Sequence, residues 1–350
     1  MTVARITLRP GHEISRVIRG GWQLAGGHGE VDRAAAVEDM VAFADAGITT
    51  FDCADIYTGV EAMIGAFRSD YANRRGAAAL ARIKVHTKLV PDLSRLADVD
   101  RAYVRGIVET SIRRLRAERL DLVQFHWWDY ATARYLDVVG WMDEMRREGL
   151  IANVSATNFD SAKTAEILAA GVRLTSMQLQ YSLLDARPER KMVALARAND
   201  IWLLCYGTVA GGFLGDRWLG RPEPQEPLEN RSLTKYKLII DDFGGWDLFQ
   251  ALLTTLRRIA DRHASDIATV ASAAMLCKPG VAAVIVGARN RCHLARNVAV
   301  SNLALSAQDL AEIAAIQAQG RVPDGDVYTL ERDRDGRHGS IMKYNLNAAT

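Results

Sequence analysis

Two kinds of apolar pattern take turns along this chain. Short runs of apolar, often β-branched residues give way to longer stretches with apolar positions three and four apart. The first long stretch is 31–46, where Val37, Met40, Val41 and Phe43 recur at helical spacing and Gly47 stops the helix. A strand is predicted at 48–52, a short helix at 61–67, a strand at 83–88, and a helix over 100–118 with Asp100 as N-cap. Strands follow at 120–126, 151–157, 174–178, 201–205 and 281–286, alternating with helices at 133–148, 160–170, 188–198, 246–264 and 290–299. Ahead of them, 5–8 and 14–18 flank Pro10-Gly11 as a hairpin, and the strand near Val17 opens the rhythm.

Eight strand-then-helix units result. The strands look buried on both faces, as parallel strands are. Eight such units favour a closed (β/α)8 TIM barrel of the α/β class over an open doubly wound sheet. The open alternative needs GxGxxG after its first strand, and Asp32 stands where the third glycine belongs. Two stretches fall outside the rhythm: an insertion at 216–245 after the seventh strand, with three prolines, and a polar tail at 319–350. The charge run at 331–335 reads as a solvated face. The expectation is one barrel domain over 1–350 with its core at 14–318.

Composition changes this picture only at its edges. A length of 350 residues would allow two domains, whereas the rhythm accounts for one barrel with an excess. Lys and Arg number 44 against 42 Asp and Glu, so no global charge draws the chain to nucleic acid or an anionic membrane. No apolar run reaches spanning length. Four cysteines without metal-ligand spacing fit a reducing, cytoplasmic setting. Seven histidines with no HxH pair at a strand end argue against a metal centre. A homo-oligomer is left open. Only 8 of the 44 basic residues are lysines, which singles out any lysine at a strand end.

In a barrel the active site gathers at the C-terminal ends of the strands. Those ends carry Gly21-Trp22, Asp52 followed by Asp55 and Tyr57, His86-Thr87-Lys88, Gln124-Phe125-His126-Trp127-Trp128, Thr157-Asn158, Gln178, Tyr206-Gly207 and Gly287-Ala288-Arg289. A free phenol is a poor acid at neutral pH, and a buried ammonium beside it lowers its pKa. An aspartate would hold that lysine, and a histidine could orient a carbonyl. Such a set can protonate a carbonyl oxygen while hydride arrives from a cofactor. Each residue alone has a plainer reading as a cap, salt bridge or packing group. His86 and Cys53 are read as structural.

The segment Thr50-Phe51-Asp52-Cys53-Ala54-Asp55-Ile56-Tyr57, with Gly59, Glu61 and Gly65, resembles the hallmark segment of the aldo-keto reductases. The resemblance continues through His86-Thr87-Lys88, 122–126, 157–160, 178–184, 206–214 and 286–289, in order, over 14–318. It implies a catalytic tetrad of Asp52, Tyr57, Lys88 and His126, with Tyr57 as general acid/base. It implies cofactor contacts from Gly21, Trp22, Asp52, Asn158, Gln178, Tyr206, Gly207, Val209, Gly211, Gly287, Arg289 and Asn297. Asn158 and Gln178 would hold the nicotinamide carboxamide and Tyr206 would stack on its ring. Backbone groups at 207–214 would meet the pyrophosphate. Arg289 would meet a 2′-phosphate, which favours NADP(H) over NAD(H). Trp22, Trp127 and Trp128 would line the pocket of a small carbonyl or alcohol substrate. The chain departs from the family pattern at Cys53, Thr157, His293 and Arg296. The rival reading is a cofactor-binding regulatory or sensor subunit with little turnover.

Overall fold

The computed structural model describes residues 2–26 and 29–346; Gly27, His28 and the last four tail residues lie outside them. Strands β1 (Arg5–Arg9) and β2 (His12–Ser15) pair antiparallel, and Gly11 turns between them at φ +77°. The next eight strands form a closed parallel barrel: β3 (Val17–Gly20), β4 (Thr50–Asp52), β5 (Lys84–Leu89), β6 (Leu122–Phe125), β7 (Val154–Thr157), β8 (Ser176–Gln180), β9 (Trp202–Tyr206) and β10 (Val281–Gly287). β10 pairs with β3 through Gly287 and Gly20, closing the ring. This is the (β/α)8 barrel that the strand–helix rhythm predicts, with its hairpin in front.

The helices are α1 (Arg33–Asp45), α2 (Val60–Arg75), α3 (Ala77–Leu80), α4 (Arg101–Leu115), α5 (Tyr135–Arg147), α6 (Ser161–Ala169) and α7 (Met192–Ala198). They continue as α8 (Arg231–Phe243), α9 (Gly245–Arg262), α10 (Ile267–Leu276), α11 (Leu294–Val300), α12 (Ala307–Gln317) and α13 (Thr329–Arg332). Side chains of Asp32, Asp100, Asp160, Asn230 and Asp266 cap helices by accepting from backbone N–H groups. Each such cap is worth about 1 kcal/mol. Asp32, in the third-glycine position of a dinucleotide fingerprint, is thus a helix cap. Among the described residues, no helix is long and apolar enough to cross a membrane.

The structure extends the sequence reading in three places. α2 runs on to Arg75 because Phe67 and Tyr71 continue its buried face. α10 is buried on nearly every side, so it shows no amphipathic period to read. The insertion is not irregular throughout: α8 buries Leu233, Tyr236, Ile239, Ile240 and Phe243. The charge run at 331–335 is not one solvated face. Glu331 is buried and Arg332 half-buried, and only the remainder of the run is exposed.

Strand parity decides what faces the barrel axis. Val123 and Phe125 pack outward among the helices, so Leu122 and Gln124 point inward. By the same alternation Thr50 and Asp52, His86 and Lys88, Ser155 and Thr157, Ser176 and Gln178, and Leu204 and Tyr206 line the interior. The lower interior is apolar: Leu8 and Ile14 of the hairpin pack with Ile18, Leu122, Leu204, Ala282 and Ala283. The larger core lies between barrel and helices. The apolar plug below leaves the upper interior to polar groups.

Candidate active site

The upper interior is organised around Asp52. One carboxylate oxygen accepts from Lys88 Nζ at 2.7 Å. The other accepts from Gln124 Nε2 at 2.9 Å and Gln178 Nε2 at 2.6 Å. Lys88 also donates to the Cys53 carbonyl at 2.8 Å. Its ammonium lies 5.0 Å from the centroid of the Tyr57 ring. Burial works against the Lys88 charge, but Asp52 and Tyr57 outweigh it and its pKa is raised. Register brings these groups together: Gly20 lies beside Asp52, Asp52 beside His86, and Lys88 beside Gln124.

Tyr57 stands on a turn tied down at both ends. Asp55 accepts from Ile56 N at 2.9 Å and from Val90 N at 3.0 Å. Beyond it, Gly59 takes φ +76° to start α2, and buried Glu61 accepts from Thr87 Oγ1 at 2.6 Å. Trp22 packs on Tyr57 with ring centroids 5.1 Å apart. Gly21 donates to the Asp52 carbonyl at 2.8 Å, and a Cβ there would stand 2.8 Å from that same oxygen. Only glycine lets the chain pass this close.

The expected direction of the Tyr57 shift is corrected by the geometry. Burial raises the phenol pKa, and the opposing pull of Lys88 does not overcome it. His126 extends the ladder through its N–H to the Leu89 carbonyl at 3.0 Å. Its Nδ1 faces the Thr157 carbonyl oxygen at 3.3 Å. A carbonyl only accepts, so the proton belongs on Nδ1 and Nε2 carries a lone pair. That Nε2 is buried and has no partner among the described residues. Burial, followed by the positive charge of Arg332, lowers the His126 pKa to about 3, so the ring stays neutral.

The profile of the aldo/keto reductase family matches residues 16–318. The chain belongs to the aldo/keto reductase family. It is 24% identical to the aldo-keto reductase YhdN of Bacillus subtilis over 312 residues, which cover 87% of this chain and 91% of that one. It is 27% identical to flagellar radial spoke protein 5 of Chlamydomonas reinhardtii over 254 residues, 62% of this chain but only 47% of the spoke protein. Its fold matches the glycerol dehydrogenase of Gluconobacter oxydans with a TM-score of 0.75 at 20% identity, over 93% of this chain and 97% of that one. Members of the family are oxidoreductases that use a nicotinamide cofactor. No group of side chains that could hold a metal occurs among the described residues.

Within this aldo/keto reductase, the residues expected to hold the cofactor divide into engaged and free. The Gln178 amide N–H donates to Asp52, and its oxygen lies 3.4 Å from Thr157 Oγ1. Asn158, in the left-handed region at φ +62°, accepts from Tyr206 Oη at 2.8 Å. Asn297 is buried and its Nδ2 has no partner among the described residues. Arg289 is exposed at the end of β10 and approaches Gly29. A Cβ at Gly287 would overlap the Gln23 amide. The bare faces of Gly207 and Gly211 are covered by Tyr236 of α8. Val209 between them accepts from the N–H groups of Gly212 and Leu214 at 2.8 and 3.1 Å.

The three tryptophans part ways. Trp127 is fully buried outside the barrel against Phe125, and its Nε1 donates to the carbonyls of Asp129 and Thr132 at 3.0 and 2.9 Å. It is a packing residue and not a pocket wall. Trp128 instead meets His126 edge-on, 4.3 Å between centroids. Several neighbours of the site carry no signal in the strand rhythm. Gln124 is the exception, since it stands at a predicted strand end, two residues before His126 on the inward face. Tyr328, whose ring lies edge-on 5.5 Å from His126, comes from the tail. Arg332 donates to the carbonyls of Trp127, Trp128 and Asn158, the last at 2.8 Å. Lys235 arrives from the insertion.

Proposed function

We propose that this chain reduces small aldehydes or ketones with NAD(P)H, and oxidises the corresponding alcohols, with Tyr57 as general acid and base. The observation that carries this reading is the buried Lys88 bridge between Asp52 and the Cys53 carbonyl, placed 5.0 Å from the Tyr57 ring. A nicotinamide fits the free groups above it: the partnerless Nδ2 of Asn297 and the exposed guanidinium of Arg289 offer donors to its adenosine end. When bound, the cofactor supplies or accepts the hydride that no side chain can carry.

The chain's own residues handle the proton. Burial raises the Tyr57 pKa, so at neutral pH the phenol holds its proton ready for a carbonyl oxygen. The phenolate left behind is paired with the Lys88 ammonium, which Asp52 holds in place. His126 Nε2 has only a lone pair to offer. It accepts from an alcohol hydroxyl, and polarising a carbonyl falls to Tyr57 alone. Arg289 supports NADP(H) over NAD(H), because a guanidinium pairs with phosphate in two-point geometry.

Tyr57→Phe tests the assignment. Steady-state turnover of an aldehyde panel should fall by about 10^3-fold, within the range for a lost general acid. The dissociation constant for the cofactor should stay within about twofold. Near-normal turnover in that variant removes Tyr57 from the role. Steady cofactor consumption by the wild type rules out a purely cofactor-binding subunit.

A further inference from the structure

Lys235 is a lysine that this chemistry does not use. It lies on α8, and its ammonium stands 5.1 Å from the ring centroid of Tyr206, 5.6 Å from Tyr236 and 5.9 Å from Tyr328. These rings come from the end of β9, from the insertion and from the tail. Tyr206 is the proposed nicotinamide platform, and Tyr328 packs on His126. Tyr328 thus links the ammonium to His126, at the rim where the proposed platform and the tetrad meet.

The charges around Lys235 are already engaged with one another. Arg187 donates to Asp185 at 2.7 Å and to Glu331 at 2.9 and 3.0 Å. Gln180 Nε2 adds a further bond to Asp185 at 2.7 Å. Asp185 and Glu331 favour the Lys235 charge from a distance and Arg187 opposes it, yet neither carboxylate forms an ion pair with Lys235 among the described residues. Three aromatic faces give a cation–π attraction. Lys235 is half-buried, and no protein group among the described residues accepts from its ammonium, so its N–H donors are open to a ligand. Three aromatic rings around one cation with open donors favour a ligand that brings an anion.

We propose that Lys235, caged by Tyr206, Tyr236 and Tyr328, selects carbonyl substrates that carry a carboxylate. This rests on the reductase reading above and names its substrate class. The ammonium holds the carboxylate and the tetrad acts on the carbonyl at the other end. Lys235 is then a specificity-determining residue and takes no part in the proton transfer.

Two matched aldehyde pairs test it: succinic semialdehyde against butanal, and 4-carboxybenzaldehyde against 4-methylbenzaldehyde. In the wild type, kcat/KM should favour the carboxylated member of a pair by at least about tenfold. Lys235→Met should lower that ratio by about tenfold or more, and Lys235→Arg should keep most of it. An unaltered ratio in Lys235→Met overturns the proposal. So does a wild type that prefers the neutral aldehydes, a measurement that needs no variant to fold. A melting temperature that drops in Lys235→Met while the ratio holds would make Lys235 a counter-ion of the Asp185–Arg187–Glu331 cluster. A cofactor dissociation constant that rises with the ratio held would assign the ammonium to a phosphate. Both outcomes overturn the proposal and leave the reductase reading standing. Turnover of none of the four aldehydes would remove that reading, and this one with it.

Discussion

Arg289 shows what one residue's surroundings add to its type. A guanidinium at a strand end can be a surface ion pair or a phosphate ligand. Here it is exposed and forms no ion pair among the described residues. Its donors are available to a 2′-phosphate. Arg289→Ala should raise KM for NADPH by about tenfold and leave KM for NADH within about twofold, in line with loss of one charge-assisted pair. Equal effects on the two cofactors would take Arg289 out of that role. Asp52, Lys88 and His126 of the proposed tetrad were legible because each lies at or next to a strand end, where an apolar run stops on a polar side chain. Tyr57 lies on the turn beyond β4 and is read from the family resemblance. The sign of the Tyr57 shift was not legible. It depends on whether burial or the Lys88 charge dominates, and burial is a property of the packed site.

At the scale of elements, the insertion and the tail had no period that betrayed their position. Both pack over the C-terminal mouth of the barrel. The tail is held by the Arg187–Glu331 pair, by Ser161 N to Asp326 at 3.1 Å and by Leu93 N to the Tyr344 carbonyl at 3.0 Å. Between these anchors Arg332 bonds the carbonyls of Trp127, Trp128 and Asn158, with its guanidinium 3.9 Å from the Tyr130 ring centroid. It joins the loop after His126 to the loop that carries Asn158. A planar guanidinium reaches carbonyls on both loops through two nitrogens, a span that a compact ammonium does not match. Arg332→Ala should lower kcat by about tenfold or more, since hydrogen bonds to a charged group are worth about 1.5–3 kcal/mol each. Arg332→Lys should restore only part of the loss. Stopped-flow and steady-state kinetics would show this; an unchanged kcat in the alanine variant would make the tail a cover without influence on the chemistry.

The whole molecule is a barrel closed at both ends, below by the hairpin and above by the insertion and tail. The lower closure contains a titratable pair. His12 of β2 meets His86 of β5 with their Nε2 atoms 3.0 Å apart, both buried. Burial, then the charge of Lys84, lowers the His12 pKa from 6.5 to about 4, and burial holds His86 well below its usual range too. The folded protein keeps both rings neutral while the unfolded chain takes up protons below about 6.5. Their contribution to stability is complete above that pH and is lost as pH falls toward 4. For His12 alone, that gap corresponds to about 3 kcal/mol at most. Thermal melts from pH 7 to pH 4 should therefore fall less steeply for His12→Gln than for the wild type. Parallel slopes would show that the pair does not govern acid stability.

Alternation along the chain determined the barrel. Eight apolar strands each followed by a helical period have few other ways to bury both faces. The same alternation located the strand ends, and the residues standing there carry the resemblance from which the oxidoreductase chemistry of the family follows. It could not determine what covers those ends. Asn230, Lys235, Tyr328 and Arg332 lie in stretches where proline and charge interrupt the period, and their positions follow from contacts with residues more than a hundred positions away in several cases, such as Arg332 with Trp127. Which tryptophan faces the site was likewise decided by packing, since Trp127 and Trp128 are neighbours that point to opposite sides. Local periodicity reports which face of an element is buried. Only the closed fold decides against what, and so whether a half-buried cation such as Lys235 meets a carboxylate of its own chain or is left for a ligand.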